Sequence, residues 1–281
     1  YLKHLSIDEP NKRKIWIPAF ICNSVTSMIE KTNFDTQFYE IDKNLNPILE
    51  NINFSQNDVI ILVNFFGMST TLEVNQKNLS ELGVKILIDN AHKLPKTLNT
   101  NQKNCDAIVY GLWKNMPTIN GSILISDLNQ NIKNNNKLVR RSKFINRLKF
   151  FIDESAAKLN INILFIKDIL KKNNTFIHED YHLSKYILDI KAINKIKKYD
   201  FDKANERRII NFSIFFNLIR DYKNILIPFS STSPSSSPMA FPILLDKPRE
   251  LRIKLRNAGI ECYNWPGLEL PKNINWENYP I

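Results

Sequence analysis

Nowhere does this chain hold the ~18 consecutive apolar residues that a membrane-spanning helix requires. Its longest apolar runs, 59–66 and 161–166, have the length of buried elements in a globular core. Tyr1-Leu2-Lys3-His4 carries no apolar h-region, so no secretory signal is expected. There is no initiator Met either. The opening residues read as the end of a helix, and the chain is expected to be a piece of a longer one. Cysteine is scarce: Cys22, Cys105 and Cys262 form an odd set without metal-ligand spacing, which points to a reducing compartment, the cytoplasm. No internal repeat is visible. No cluster of basic residues interleaved with aromatics accompanies the net charge of +11. The 39 basic residues are spread along the chain, so nucleic acid is not an expected partner.

What is present is ordinary globular material. Hydrophobic residues make up 43% and charged residues 24%, too apolar for disorder. A length of 281 residues suits one large domain and a smaller one. The first half alternates expected strands (14–17, 36–41, 58–65, 84–88, 107–110, 122–126) with expected helices (23–30, 75–82), the second of these closed by Gly83. The run 58–65 is continuously apolar and is expected to be buried on both faces. This pattern predicts an α/β fold with an open, mostly parallel sheet flanked by helices. Beyond it, 129–136 reads as an Asn-rich loop. Helical spacing recurs over 138–152, 156–170, 183–196 and 202–222, with Asp202 as the expected cap of the last. The stretch 230–238 (SSTSPSSSP) reads as a loop or linker. A β-α-β unit follows, with strands 239–245 and 260–263 around a helix at 249–257. The expected division is 1–134 as a large domain, 135–224 as a helical connection and 225–281 as a small C-terminal domain.

Two segments carry chemistry. In Val84-Lys85-Ile86-Leu87-Ile88-Asp89-Asn90-Ala91-His92 an apolar strand ends in an acid. Ligands of open α/β sheets sit at the carboxyl ends of strands, so Asp89 either faces a ligand or caps the turn that follows. In 106–122 a strand runs into an expected loop holding Lys114 between Trp113 and Met116. An amine in apolar surroundings leans toward the neutral, nucleophilic form that attacks an aldehyde. A third segment, His178-Glu179-Asp180-Tyr181-His182, is a formal H-E-x-x-H, which on a helix could bind zinc with Glu179 as base. Its polar surroundings do not suit such a helix, and no metal is expected.

Taken in order, several segments resemble the DegT/DnrJ/StrS-type sugar aminotransferases. Ile15-Trp16-Ile17-Pro18-Ala19-Phe20-Ile21-Cys22 is similar to that family's strand-to-helix turn, and Phe38-Tyr39-Glu40-Ile41-Asp42 to its second strand. Val63-Asn64-Phe65-Phe66-Gly67 resembles "H-Y-F-G", and Ile88-Asp89-Asn90-Ala91-His92 resembles "E-D-x-A-[HQ]". The segment 110–117 resembles the lysine motif "F-S-L-R-K-x-L-P". Tyr181-His182-Leu183-Ser184 resembles "Y-R-M-S", and 206–212 resembles "R-R-x-N-Y". Segments 239–245 and 255–260 are similar to motifs of the small domain.

The resemblance implies an aspartate-aminotransferase-like large domain, a small C-terminal α/β domain and pyridoxal 5'-phosphate as cofactor. Lys114 would form the Schiff base and move protons, Asp89 would pair with the pyridine nitrogen, and His92 would contact the ring's phenolic oxygen or support Asp89. It implies a nucleotide-sugar substrate, drawn by the positive field, an amino-acid donor such as glutamate, and a homodimer without membrane attachment. Three departures stand out. Gly111 replaces the serine that helps hold the phosphate. Cys22 stands where an aromatic stacks on the ring, with Phe20 as a possible substitute. The Gly-Thr phosphate segment would lie upstream of Tyr1. A non-catalytic homologue of the same fold is the alternative that these departures leave open.

Overall fold

Short runs of β-branched residues, each followed by a turn, build the frame. The computed structural model describes Leu2 and residues 13–68, 72–95, 104–116, 122–126, 137–138, 186–187, 190–229 and 236–263. The chain forms two compact units. One comprises Tyr1–Asn129, Tyr199–Leu245 and Pro266–Ile281; the other comprises Gln130–Lys198 and Asp246–Trp265.

The first unit holds a seven-stranded sheet. Its strands are β1 (Lys14–Pro18), β2 (Asp35–Ile41), β3 (Pro47–Ile48), β4 (Val59–Val63), β5 (Lys85–Asn90), β6 (Ala107–Gly111) and β7 (Ser122–Ser126), in the order β3-β2-β1-β4-β5-β6-β7. The five central strands are parallel, and β3 and β7 add antiparallel edges. The α/β class and the mostly parallel sheet expected from the sequence are what the structure has. Strand β7 reverses because the connection from Gly111 to Ser122 is shorter than the roughly dozen residues a parallel crossover needs.

All five residues of β4 are buried, as their unbroken apolar run predicted. Ile15, Ile17, Ile60, Leu62, Ile86, Ile88 and Ile108 are almost fully removed from solvent and form the core. Each contributes about 1.5–3 kcal/mol by burial. Helices α1 (Asn23–Ile29) and α2 (Leu72–Glu81) make crossovers, and Gly83, at φ 74°, turns the chain out of α2. Strand β3 escaped the sequence reading. It follows a tight turn in which Asp42 Oδ1 accepts from the amides of Asn44 and Asn46, at 2.8 and 2.7 Å.

Several expectations need correction. Lys114 lies on a short helix, α3 (Leu112–Asn115), and not in a loop. In the second unit, 183–196 is not one helix. Tyr186–Ile187 (β9) pairs with Lys137–Leu138 (β8), and helix α4 begins only at Ile190 and runs to Lys198. Apolar spacing over so few residues does not separate strand from helix. Helix α5 (Phe201–Ile219) is capped by Asp200, whose carboxylate accepts from the Lys203 amide at 2.9 Å. Asp202 lies in the first turn instead.

The expected strand 239–245 is a single antiparallel bridge, Leu226–Leu244, because Phe241 is taken up by packing on Phe212 and Phe215 of α5. Residues 260–263 form no strand, so the expected β-α-β unit reduces to helix α6 (Pro248–Asn257). The end of the Ser/Pro stretch is not a free linker, since Ser236 and Ser237 are 2% and 0% exposed. The expected helices at 138–152 and 156–170, apart from Leu138, and the His178–His182 motif lie outside the described residues.

Candidate functional site

Strands β4, β5 and β6 end side by side, and the residues after them converge. Asn64 ties the first two ends together. Its amide donates to the Asp89 carbonyl at 3.0 Å, and its side chain donates to Asn90 Oδ1 at 3.1 Å. Next comes a 3-10 turn, Phe65–Gly67, in which Phe66 adopts φ 54°, ψ 12°. That left-handed conformation costs a non-glycine residue about 1–3 kcal/mol unless its surroundings enforce it. Here they do. The Met239 amide donates to the Phe66 carbonyl at 2.9 Å, and the Ser237 amide to the Gly67 carbonyl at 2.8 Å. Gly67 itself has φ 74°. A Cβ there would collide with the Ser237 carbonyl oxygen and lie 3.0 Å from that of His92.

Asp89 stands at the end of β5, between Val63 and Val109 of the neighbouring strands. Oδ1 accepts from the Ala91 amide at 2.8 Å, so the capping role is real. It occupies one oxygen only: Oδ2 has no donor among the described residues. Burial drives the carboxyl above its ordinary range, although the Ala91 amide and the Lys114 charge pull the other way. A carboxylate in this position gains from any N–H that reaches it, because its own surroundings do not compensate its charge.

His92 is 5% exposed. Its ring stacks on Phe66, with centroids 5.7 Å apart, and Nδ1 accepts the Phe66 amide at 3.2 Å. On the far side, Nε2 lies 3.2 Å from Lys114 Nζ. Burial, then the Lys114 charge, pushes the imidazole down to about 3, so the ring is neutral at physiological pH.

Lys114 reaches His92 from α3. The expectation of an apolar enclosure holds only for its neighbours. Leu112 and Met116 are buried, whereas Lys114 is exposed. Helical geometry explains this, since 112, 115 and 116 share one face and 114 points off it. Asn115, 4% exposed, anchors the helix. Its Nδ2 donates to the carbonyls of Ala91 and Gly111 at 2.9 and 3.0 Å. Arg208 of α5 closes the bracket, with Nη1 donating to Asn115 Oδ1 and Nη2 to the Asn115 carbonyl, both at 2.8 Å. Gly111 is required where it is, because a Cβ would sit 2.9 Å from the Ala91 carbonyl oxygen. The departure from serine at this position thus has a packing reason. Phe20 is buried against Phe65, and Cys22 is exposed beside the start of α1.

Solved structures share this architecture. An E. coli GDP-4-keto-6-deoxy-D-mannose-3-dehydratase with bound hydrated PLP aligns with a TM-score of 0.54 at 17% identity, over 92% of this chain and 69% of its own. S. venezuelae DesV, solved with a ketimine intermediate, aligns with a TM-score of 0.58 at 14% identity, over 92% and 65%. Helicobacter pylori PseC, an aminotransferase of pseudoaminic acid biosynthesis, aligns with 0.57 at 15%, over 92% and 66%. The chain has the fold of these enzymes. No family model matches it, and no curated relative does.

Within this shared fold, Asp89, His92 and Lys114 are brought to one end of the sheet. Sequence reading missed Phe66, Asn115 and Arg208 as parts of the site. Asn115 follows the lysine and Arg208 lies in a quoted motif, but their pairing across the chain has no local signal. Among the described residues no group of His, Cys, Asp or Glu is arranged to hold a metal. No helix among them is long and apolar enough to cross a membrane.

Proposed function

We propose that this chain is a pyridoxal-phosphate-dependent enzyme of the DegT/DnrJ/StrS type that transfers an amino group from an amino acid such as glutamate to a nucleotide-linked keto sugar. One observation carries the reading. An exposed lysine amine lies 3.2 Å from a neutral histidine, beside a buried carboxylate with an unengaged oxygen, at the carboxyl edge of a parallel sheet. Those residue types fit the group: Lys114 suits its aldehyde, Asp89 Oδ2 its pyridine nitrogen, and His92 the polar edge of its ring. When bound, it supplies an electron sink for carbanion chemistry at the amino-bearing carbon. Lys114 would hold the group and, when freed from it, would be the base nearest to the substrate's amino-bearing carbon. Asp89 would pair with the pyridine nitrogen, where its raised affinity for protons would be met by sharing one. Asn115 and Arg208 keep α3 against Ala91, so that the lysine and the acid stay in register.

A homodimer, a positive surface field that attracts the nucleotide diphosphate, and a cytoplasmic setting belong to the same reading. Light scattering that gives a monomer for the folded protein counts against the dimer. A dehydratase is the second reading, favoured by the fold of the E. coli enzyme. Products separate the two: a new amine on the sugar in one case, loss of a hydroxyl in the other.

The decisive experiment is reduction with borohydride in the presence of pyridoxal phosphate, followed by peptide mapping. The label is expected on Lys114 and absent in Lys114→Ala. Asp89→Asn should still label but turn over roughly 30- to 1000-fold more slowly, the effect of losing a charge-assisted bond worth ~2–4 kcal/mol in a dry site. Labelling at another lysine, with Lys114→Ala still active, sinks the assignment.

A further inference from the structure

A backbone amide can only donate. Phe66 N–H points at His92 Nδ1, so that nitrogen carries no hydrogen and the neutral ring holds its proton on Nε2. The Nε2 hydrogen then faces Lys114 Nζ at 3.2 Å. The donor of this chain is not adjustable. Phe66 is held in its left-handed conformation by Gly67, Ser237 and Met239, and its ring stacks on the imidazole. Rotation of the ring by 180° about its Cβ–Cγ bond would place a carbon opposite the amide and lose this hydrogen bond in a buried place.

We propose that His92 is a positioning residue for Lys114: the Phe66 amide locks the imidazole as the Nε2–H tautomer, and that tautomer sets which ring atom lies against the lysine's amino group before any ligand arrives. The inference deepens the reading given above, in which Lys114 supplies the reactive amine, but the tautomer is a property of the cofactor-free chain. Lys114, from α3, is the charged group whose influence the ring feels among the described residues. Asp89 lies three residues earlier on the same turn, and the Phe65–Gly67 turn carries none.

A substitute for His92 must accept on one side and donate on the other. Glutamine can do both, with Oε1 toward Phe66 N–H and Nε2 toward Lys114. Phenylalanine fills similar space and does neither.

Two measurements on the cofactor-free protein test this. In 15N spectra of the histidine side chains, the resonances lost in His92→Gln identify His92. They should show a hydrogen-bearing Nε2, a bare Nδ1 and no titration between about pH 5 and 8. A hydrogen on Nδ1, or titration near the ordinary histidine value, overturns the proposal. In the second measurement, formaldehyde with cyanoborohydride methylates lysines, and the rate at Lys114 is followed by peptide mass spectrometry. His92→Phe is expected to slow Lys114 about tenfold or more, with other lysines unchanged, while His92→Gln stays within about threefold of the parent. Equal rates in all three proteins, or a Gln variant as slow as the Phe variant while circular dichroism shows both folded, overturn it. Methylation probes the amine without pyridoxal phosphate. A wild-type chain that never takes the borohydride label but obeys both tests loses the cofactor reading and keeps the positioning one; the reverse pattern does the opposite.

Discussion

The turn after β5 and the Ser/Pro stretch before Met239 look like opposites. One packs an acid, an amide and a histidine into four residues. The other is low in complexity and reads as a linker. In the folded chain they meet. Ser237 Oγ accepts from the Leu94 amide at 3.1 Å, and its backbone, with that of Met239, holds the Phe66–Gly67 turn that serves His92. The Asn205 side chain of α5 donates to the Ser236 carbonyl at 3.2 Å from the other side. The lesson is that composition reports what a segment can do chemically, and says little about where its backbone is wanted. The candidate chemistry sits on the first segment; the second supplies main-chain donors, a carbonyl and one hydroxyl, Ser237 Oγ.

The sharpest way to break this pairing is Gly67→Ala. It adds a Cβ at φ 74° against the Ser237 carbonyl, so both segments must part. A loss of roughly 3 kcal/mol or more is expected in urea unfolding, together with loss of the His92 tautomer signal. A shift below about 1 kcal/mol would falsify the buttress. Next comes Asn115→Leu, which takes the side-chain donor from the Ala91 and Gly111 carbonyls and the acceptor from Arg208 Nη1, while Nη2 keeps the backbone carbonyl, at about 2–4 kcal/mol. Arg208→Met should cost less and should not add to it, because both break one bracket; additive effects would show that the bracket is not a unit. Ser237→Ala removes only the acceptor of the Leu94 amide, about 1–3 kcal/mol, and spares the backbone bonds.

A pH profile sharpens the contrast between the two titratable groups of the first segment. His92 is pushed down to about 3, so the unfolded chain binds its proton more readily. Its contribution is fully present above the ordinary histidine value of about 6.5 and is lost as pH falls toward 3. Asp89 is pushed up, so its contribution is present below about 4 and is lost as pH rises through its folded value. His92→Gln should therefore flatten the acid limb of the stability curve below about pH 6.5. An unchanged limb would place the sensitivity elsewhere. The smallest effect belongs to the surface. Lys85 pairs with Asp106 at 3.0 Å in a partly exposed position, and Lys85→Ala should shift stability by less than about 1 kcal/mol.

These contrasts separate what was legible from what was not. Apolar runs at 59–63 and 86–88 announced central strands, because burial on both faces leaves no room for polar alternation. The acid near the end of β5 and the lysine after β6 were candidates by residue type at a strand end, and only the resemblance gave them roles. Less was legible in the second half. Phe241 fits a strand as well as it fits the packing it makes against α5, and the sequence has no mark for the choice.

By itself the sequence determined the α/β class and the strand periodicity, and it named Asp89, His92 and Lys114 as candidates, since these follow from local pattern and side-chain identity. Only the tertiary structure decided that a left-handed Phe66 aims its amide at His92, that Gly111 must lack a side chain to clear Ala91, and that Arg208 reaches 93 positions back to Asn115. The physical reason is range. Periodicity is set by neighbours three or four residues apart, whereas a hydrogen bond between distant segments exists only after the sheet has brought their backbones together, and it leaves no period behind.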